Sequence, residues 1–239
     1  MTTGLDRLIL ALDVDTVGEG RELLSALRGE LKYVKIGHRL YALGGLPFLR
    51  EISAAGFSVF LDIKLHDIPN TVFMAVDILA SEGLWALTLH CGGGRKMLEE
   101  ARRARDGRSS GMNLLGVTVL TSFDDASWGE ASPGCPMPLA LEKRASLCRE
   151  TAMDGIVCSP LDLDTVRAAG KGLFTVVPGV RPADSADDQA RRASPLETVK
   201  RGADYLVVGR PVIKAPDRVA AVRSIADEIG EGLAWINRR

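Results

Sequence analysis

Ser58-Val59-Phe60-Leu61-Asp62-Ile63-Lys64-Leu65, running directly into His66-Asp67-Ile68-Pro69-Asn70-Thr71, is the stretch whose reading decides the fold. Side chains alternate across a strand, so Asp62 and Lys64 share one face while Leu61, Ile63 and Leu65 share the other. Charges are rarely buried unless they are paired or functional. In a closed barrel of parallel strands the polar pair points inward near the C-terminal mouth, where barrel enzymes keep their active sites. An inward salt bridge with no further role would explain the same two residues.

Runs of the same kind lie on both sides. Near-continuous apolar segments begin near Leu8 (LILALDV), Tyr33 (YVKIG), Trp85 (WALTLH), Leu114 (LLGVTVLT), Gly155 (GIVCS), Phe174 (FTVVPGV) and Tyr205 (YLVVGR). Strands this apolar belong to a sheet covered on both faces, hence parallel with helical crossovers. Amphipathic stretches fall between them at Gly20–Leu31, Pro69–Glu82, Arg95–Arg105 and Leu139–Met153. The first four intervals between strand starts are all about 25–30 residues, one βα unit each. A doubly wound sheet would also alternate strand and helix, but no GxGxxG follows the first strand, which ends instead at Asp13. The fold expected is α/β, a (β/α)8 TIM barrel, with residues 1–239 as one domain. Two polar segments rich in Gly, Pro and Ser, Thr121–Pro138 and Pro178–Pro195, are read as irregular loops after strands at the C-terminal face, both with the length of lids.

Composition narrows the function classes. Thirty Lys and Arg against 31 Asp and Glu leave a net charge of −1 over 239 residues. A nucleic-acid binder with a broad basic surface would carry more cationic excess, so anion binding has to be local. The four cysteines, Cys91, Cys135, Cys148 and Cys158, form no CxxC pair and no metal-ligand spacing with the three histidines, and read as buried thiols in a reducing cytosol. The N-terminus lacks a signal-peptide pattern, and no apolar run approaches the roughly 20 residues of a membrane span. A soluble, cytoplasmic protein is expected.

Lys35 on the second strand and Asp13 at the end of the first raise the same question as the Asp62–Lys64 pair. A lone lysine can snorkel to the surface, and an aspartate after a strand is often only a helix cap. Four charged residues at three strand ends make coincidence a poor account. Their arrangement also separates mechanisms. A Schiff-base lysine has to be neutral to attack. Lys64 instead follows Asp62 by two residues and precedes Asp67 by three, and neighbouring carboxylates favour its ammonium form. That suits a proton donor. On the eighth strand, Val208-Gly209-Arg210-Pro211 has the chemistry of a phosphate site: a glycine for close approach, a forked donor, and a proline able to open a helix. Arg181 follows strand seven, and barrels place phosphate after strands seven and eight. His90, before Cys91-Gly92-Gly93, reads as a satisfied histidine in a tight turn, and His38 and His66 have no i,i+4 partner. The run Arg102–Arg108 reads as a solvated helix end.

At Asp62–Thr71 the chain closely resembles the orotidine 5'-monophosphate decarboxylase family. The block LDIKLHDIPNTV carries the resemblance, and LALDV, YVKIG, LTLHCGGG, GVTVLTS, PGVRP and YLVVGRPV extend it over nearly the whole chain. The DxKxxD core alone is shared with related barrels, including 3-keto-L-gulonate 6-phosphate decarboxylase and the metal-dependent hexulose 6-phosphate synthase. The IPNT that follows it and the PGVRP separate this sequence from them. The resemblance implies that Lys35, Asp62, Lys64 and Asp67 form the catalytic charge array, with Asp67 reaching the partner's site in a homodimer. It implies that Asp13 and Lys35 hold the ribose hydroxyls, and that Thr71, from the partner, and Thr121 help hold the nucleotide. Arg181, Gln189, Gly209 and Arg210 would bind phosphate and close the lid, and the implied reaction requires no metal or organic cofactor.

Overall fold

In the computed structural model, residues 3–181 and 193–238 are described. Eight parallel strands follow one another around a closed barrel in chain order, β1 to β8. They are β1 (Leu8–Ala11), β2 (Tyr33–Gly37), β3 (Ser58–Leu65), β4 (Ala86–His90), β5 (Asn113–Val117), β6 (Gly155–Val157), β7 (Phe174–Pro178) and β8 (Tyr205–Val208). The expected (β/α)8 fold is therefore the one observed. Contacts group the chain into two compact units, Met1–Asp62 with Val177–Arg239, and Ile63–Val176.

In the first unit the register runs Leu10 to Val34 and Leu10 to Val208, then Val34 to Val59. All four residues of β1 are buried, the pattern of a strand covered on both faces. Around these strands lie α1 (Val17–Ala26), α2 (His38–Ala54), α8 (Pro195–Lys200), α9 (Arg210–Ile213) and α10 (Arg218–Ile236). The Thr16 hydroxyl accepts the Glu19 N–H to start α1, and Asp217 caps α10 through Ala220 N–H. Helix α2 is kinked where Gly45 takes φ 55, two residues before Pro47.

The second unit holds α3 (Pro69–Leu79), α4 (Gly94–Gly107), α5 (Asp125–Ala131), α6 (Met137–Glu150) and α7 (Leu163–Ala169). Pro69 opens α3 at a position where a missing N–H costs nothing. Met97, Leu98, Ala101 and Ala104 line the buried side of α4 at helical spacing. A side chain at Gly116 on β5 would come within 2.2 Å of Cys148 Sγ and 3.0 Å of Cys91 Sγ, so glycine makes room for both thiols. Cys91, Cys148 and Cys158 are buried as expected, whereas Cys135 is partly exposed.

Two boundaries differ from the sequence reading. The run LLGVTVLT ends its ladder at Val117, which pairs with Val157 at the end of β6; the Thr118 N–H and hydroxyl both donate to the Val157 carbonyl, at 3.4 and 3.3 Å, as the last bonds to that strand. The polar segment Thr121–Pro138 is not wholly irregular. Asp124 accepts the Ser127 N–H at 2.9 Å and starts α5, whose Trp128 is buried against Phe123. Of the second long segment, residues 182–192 lie outside the described residues.

Candidate active site

In the first unit the C-terminal ends of β1, β2 and β3 bring three of the expected charges together. Lys35, on β2, is largely buried, and its Nζ stands 3.5 Å from Asp13 Oδ1 and 3.5 Å from Asp62 Oδ2. Strand register explains the meeting, since Gly37 pairs with Asp62 and Ala11 with Lys35. Asp62 is as enclosed as Lys35, with 13% of its side chain exposed, whereas Asp13 is open at 62%. The ammonium thus sits between one enclosed and one accessible carboxylate. Enclosing an ammonium is costly unless opposite charges of this kind stand beside it.

Glycines hold the same region open. A side chain at Gly37 would come 3.6 Å from Lys35 Nζ, and one at Gly209 would come 3.7 Å from Asp13 Oδ2. Gly209 precedes α9, which begins at Arg210, so that Pro211 is the second residue of the helix and not the first, as the sequence suggested. Arg210 is exposed, and Arg181 is partly exposed with its backbone N–H donating to the Ala193 carbonyl at 3.3 Å. A cavity of about 170 Å³ lined by Asp13, Asp15, Gly37, His38 and Arg39 adjoins these charges. A larger groove of about 390 Å³ beside Phe48 and Phe57 includes none of them, and the Arg21–Glu51 ion pair lies in its wall.

In the second unit β3 ends at Lys64 and Leu65. Lys64 has φ 45, and its backbone N–H donates to the fully buried Thr88 hydroxyl on β4 at 2.8 Å. Asp67 is exposed, its Oδ1 accepting the Ile68 N–H at 2.6 Å. Thr71, in the first turn of α3, and Thr121, in a turn after β5, are exposed as well. Gln189 falls outside the described residues.

Three features of this unit escaped the sequence reading. One is Thr88. The second is a stack: the His66 and His90 rings lie nearly parallel with centroids 5.0 Å apart. His90 Nδ1 accepts the Gly92 N–H at 3.1 Å, so the tight turn expected there is present, formed around a histidine pair. The third is Arg144, which donates to the Thr118 carbonyl at 2.5 Å and lies over the Trp128 ring.

Burial first, then Arg144, His66 and Lys64, push the His90 imidazole down to about 4. Above about pH 6.5 the ring is neutral in both folded and unfolded chains, and it contributes nothing to pH dependence. As pH falls from about 6.5 to 4, the unfolded chain gains a proton that the folded chain refuses, so stability drops through that window. His90→Asn retains an acceptor for Gly92 and removes the titration. Its urea midpoint should therefore fall less steeply than the parent's between those values; parallel curves would mean that the folded ring titrates normally.

A closed barrel in which Lys35 stands between Asp13 and Asp62 at the strand ends defines the class, a (β/α)8 barrel with charges gathered at the C-terminal ends of its first three strands. Residues 6–225 match the family described as Orotidine 5'-phosphate decarboxylase / HUMPS, and the chain belongs to that family. It is 38% identical over 229 residues to the orotidine 5'-phosphate decarboxylase of Nitrosomonas eutropha, covering 95% of this chain and 98% of that one. To the Methylobacterium sp. (strain 4-46) protein of the same name it is 43% identical, covering 96% and 98%. The crystal structure of orotidine 5'-phosphate decarboxylase from Lactobacillus acidophilus superposes with a TM-score of 0.83 at 32% identity, covering 94% of this chain and 99% of that one.

Proposed function

We propose that this chain decarboxylates orotidine 5'-monophosphate to UMP and CO2, the step that makes UMP in pyrimidine biosynthesis. The observation that carries the reading is likeness over nearly the full length of both chains to relatives bearing that name, 38–43% identical. The bond from C6 to the carboxylate breaks, its electron pair stays on C6 in the ring plane, and CO2 departs. Ring resonance helps that carbanion little, so nearby positive charge has to stabilise it. The Lys64 ammonium supplies the charge and then its proton to C6, and the neutral amine regains a proton from solvent. Asp62 lies beside the departing carboxylate, where repulsion eases as neutral CO2 forms, an effect ranked second to charge stabilisation. Asp13 and Lys35 hold the ribose hydroxyls, and Thr121 helps hold the nucleotide.

Phosphate is held by Arg181, Gln189, Gly209 and Arg210, far from C6, so its binding energy is expressed in the rate. Arg210→Ala should cost about 1.5–3 kcal/mol in kcat/KM, the worth of a hydrogen bond to a charged group. The penalty should shrink greatly for the nucleoside lacking phosphate. Equal penalties for both substrates would put Arg210 elsewhere.

The working enzyme is a homodimer in which Asp67 and Thr71 serve the partner's site. Ile68, Met74 and Ile78 support this, being 67%, 51% and 54% exposed at helical spacing along the same surface as Thr71. The compartment proposed is the cytoplasm, where the Cys91 and Cys148 thiols, 3.2 Å apart and unbridged, remain reduced.

Following ultraviolet absorbance after adding orotidine 5'-monophosphate tests the activity. Prompt conversion to UMP is expected, unchanged after dialysis against EDTA. Binding without turnover would indicate a nucleotide-binding protein on a barrel scaffold. Turnover of a sugar phosphate, lost to EDTA and restored by Mg²⁺, would indicate a lyase of the same barrel group.

A further inference from the structure

Among the described residues, three that are not glycine have positive φ: Lys64 at 45, Ser109 at 51 and Ala152 at 53. Ser109 and Ala152 each lie two residues past the end of a helix, α4 and α6, where a left-handed residue commonly closes the last turn. Lys64 has no such reason. It belongs to β3, where φ is ordinarily about −120. Lysine gains nothing locally in the left-handed region, unlike asparagine, and glycine would sit there without strain. Such an outlier persists only where its surroundings over-determine it.

One group that meets the Lys64 backbone there is the Thr88 hydroxyl. It lies on β4 between Leu87 and Leu89, all three fully buried, and accepts the Lys64 N–H at 2.8 Å. A valine would fill this apolar strand equally well, and burying a hydroxyl is costly unless it is bonded. Its acceptor fixes the Lys64 peptide, and with it the direction in which the Cα–Cβ bond leaves the strand. We propose that Thr88 is a positioning residue for the reaction, holding Lys64 in the strained backbone conformation that aims its ammonium at C6. The inference rests on the reading of Lys64 as proton donor.

Three variants test it: Thr88→Val, which keeps the shape and loses the acceptor; Thr88→Ser, which keeps the acceptor and loses a methyl; and Thr88→Cys, which has a much weaker acceptor. Misplacing a reacting group by about 1 Å costs on the order of a hundredfold in rate. Thr88→Val should lose about that factor in kcat while binding UMP as the parent does, and Thr88→Ser should stay within a few-fold of the parent. If valine prevents folding, Thr88→Cys takes its place and should show the same split. Full kcat in Thr88→Val would overturn the proposal. So would UMP affinity falling in step with kcat, or serine losing as much as valine. Lys64→Ala separates this failure from that of the reading beneath it. An active Lys64→Ala removes the proton donor itself, whereas an inactive one beside a fully active Thr88→Val removes only the role of Thr88.

Discussion

Lys64→Ala is expected to lose nearly all turnover of orotidine 5'-monophosphate while still binding UMP. Two contributions disappear together. An ammonium about 4 Å from a developing carbanion is worth about 4 kcal/mol at an effective dielectric constant near 20. That corresponds to roughly a thousandfold in rate. Proton delivery by a placed acid adds about a hundredfold to ten-thousandfold. Their combined loss is about five to seven orders of magnitude, larger than any single contact elsewhere in the site would cost. UMP carries hydrogen rather than carboxylate at C6 and draws its affinity from ribose and phosphate contacts, so its dissociation constant should change little. Alanine also has a Cβ and meets the same backbone restriction at φ 45, which keeps the comparison on the side chain. Single-turnover kinetics with UMP titration check both halves. Turnover near the parent rate would remove Lys64 from the chemistry. Equal loss of rate and UMP affinity would make it a binding residue.

The barrel was legible because its strands are buried on both faces, and nearly unbroken apolar runs such as LILA and YLVV announce that burial directly. Strand ends were less legible. Thr118 and Thr121 suit a strand by propensity, yet β5 pairs with β6 only as far as Val117 and Val157, a limit set by the neighbouring strand. Helix α5 left a readable mark in Asp124 and Ser127, three residues apart and followed by a buried tryptophan, which the surrounding Gly, Pro and Ser obscured. The charges at the ends of β1, β2 and β3 could be named from local sequence, because polar residues closing apolar runs stand out. Thr88 could not. A threonine in an apolar strand is an ordinary β-former, and the N–H it accepts lies 24 residues away. Nothing about a lysine signals a positive φ. The His66–His90 stack is hidden for a related reason: i,i+4 spacing brings side chains together on one helix, whereas these rings meet from segments 24 positions apart.

Asp67 and Lys64 are three residues apart in sequence, yet the proposed dimer puts them to work in different active sites, and mixed dimers should reveal this. An isologous two-fold interface makes two equivalent composite sites, each with one chain's Lys64 and the other chain's Asp67. The Lys64→Ala and Asp67→Ala homodimers should each be nearly inactive, because every site in either carries one lesion. In a heterodimer of the two, one site collects both lesions and the other collects neither. Random pairing makes about half of the dimers heterodimeric, so about a quarter of all sites should regain full function. Unfolding the two variants together, refolding them and assaying the mixture measures that fraction, with each variant refolded alone as the baseline. The exposed Ile68, Met74 and Ile78 supply the surface through which the chains would re-pair, so a charge at Met74 should prevent both dimer formation and recovery. Heterodimers confirmed by mass but showing no recovery would mean that Asp67 serves the subunit that carries it.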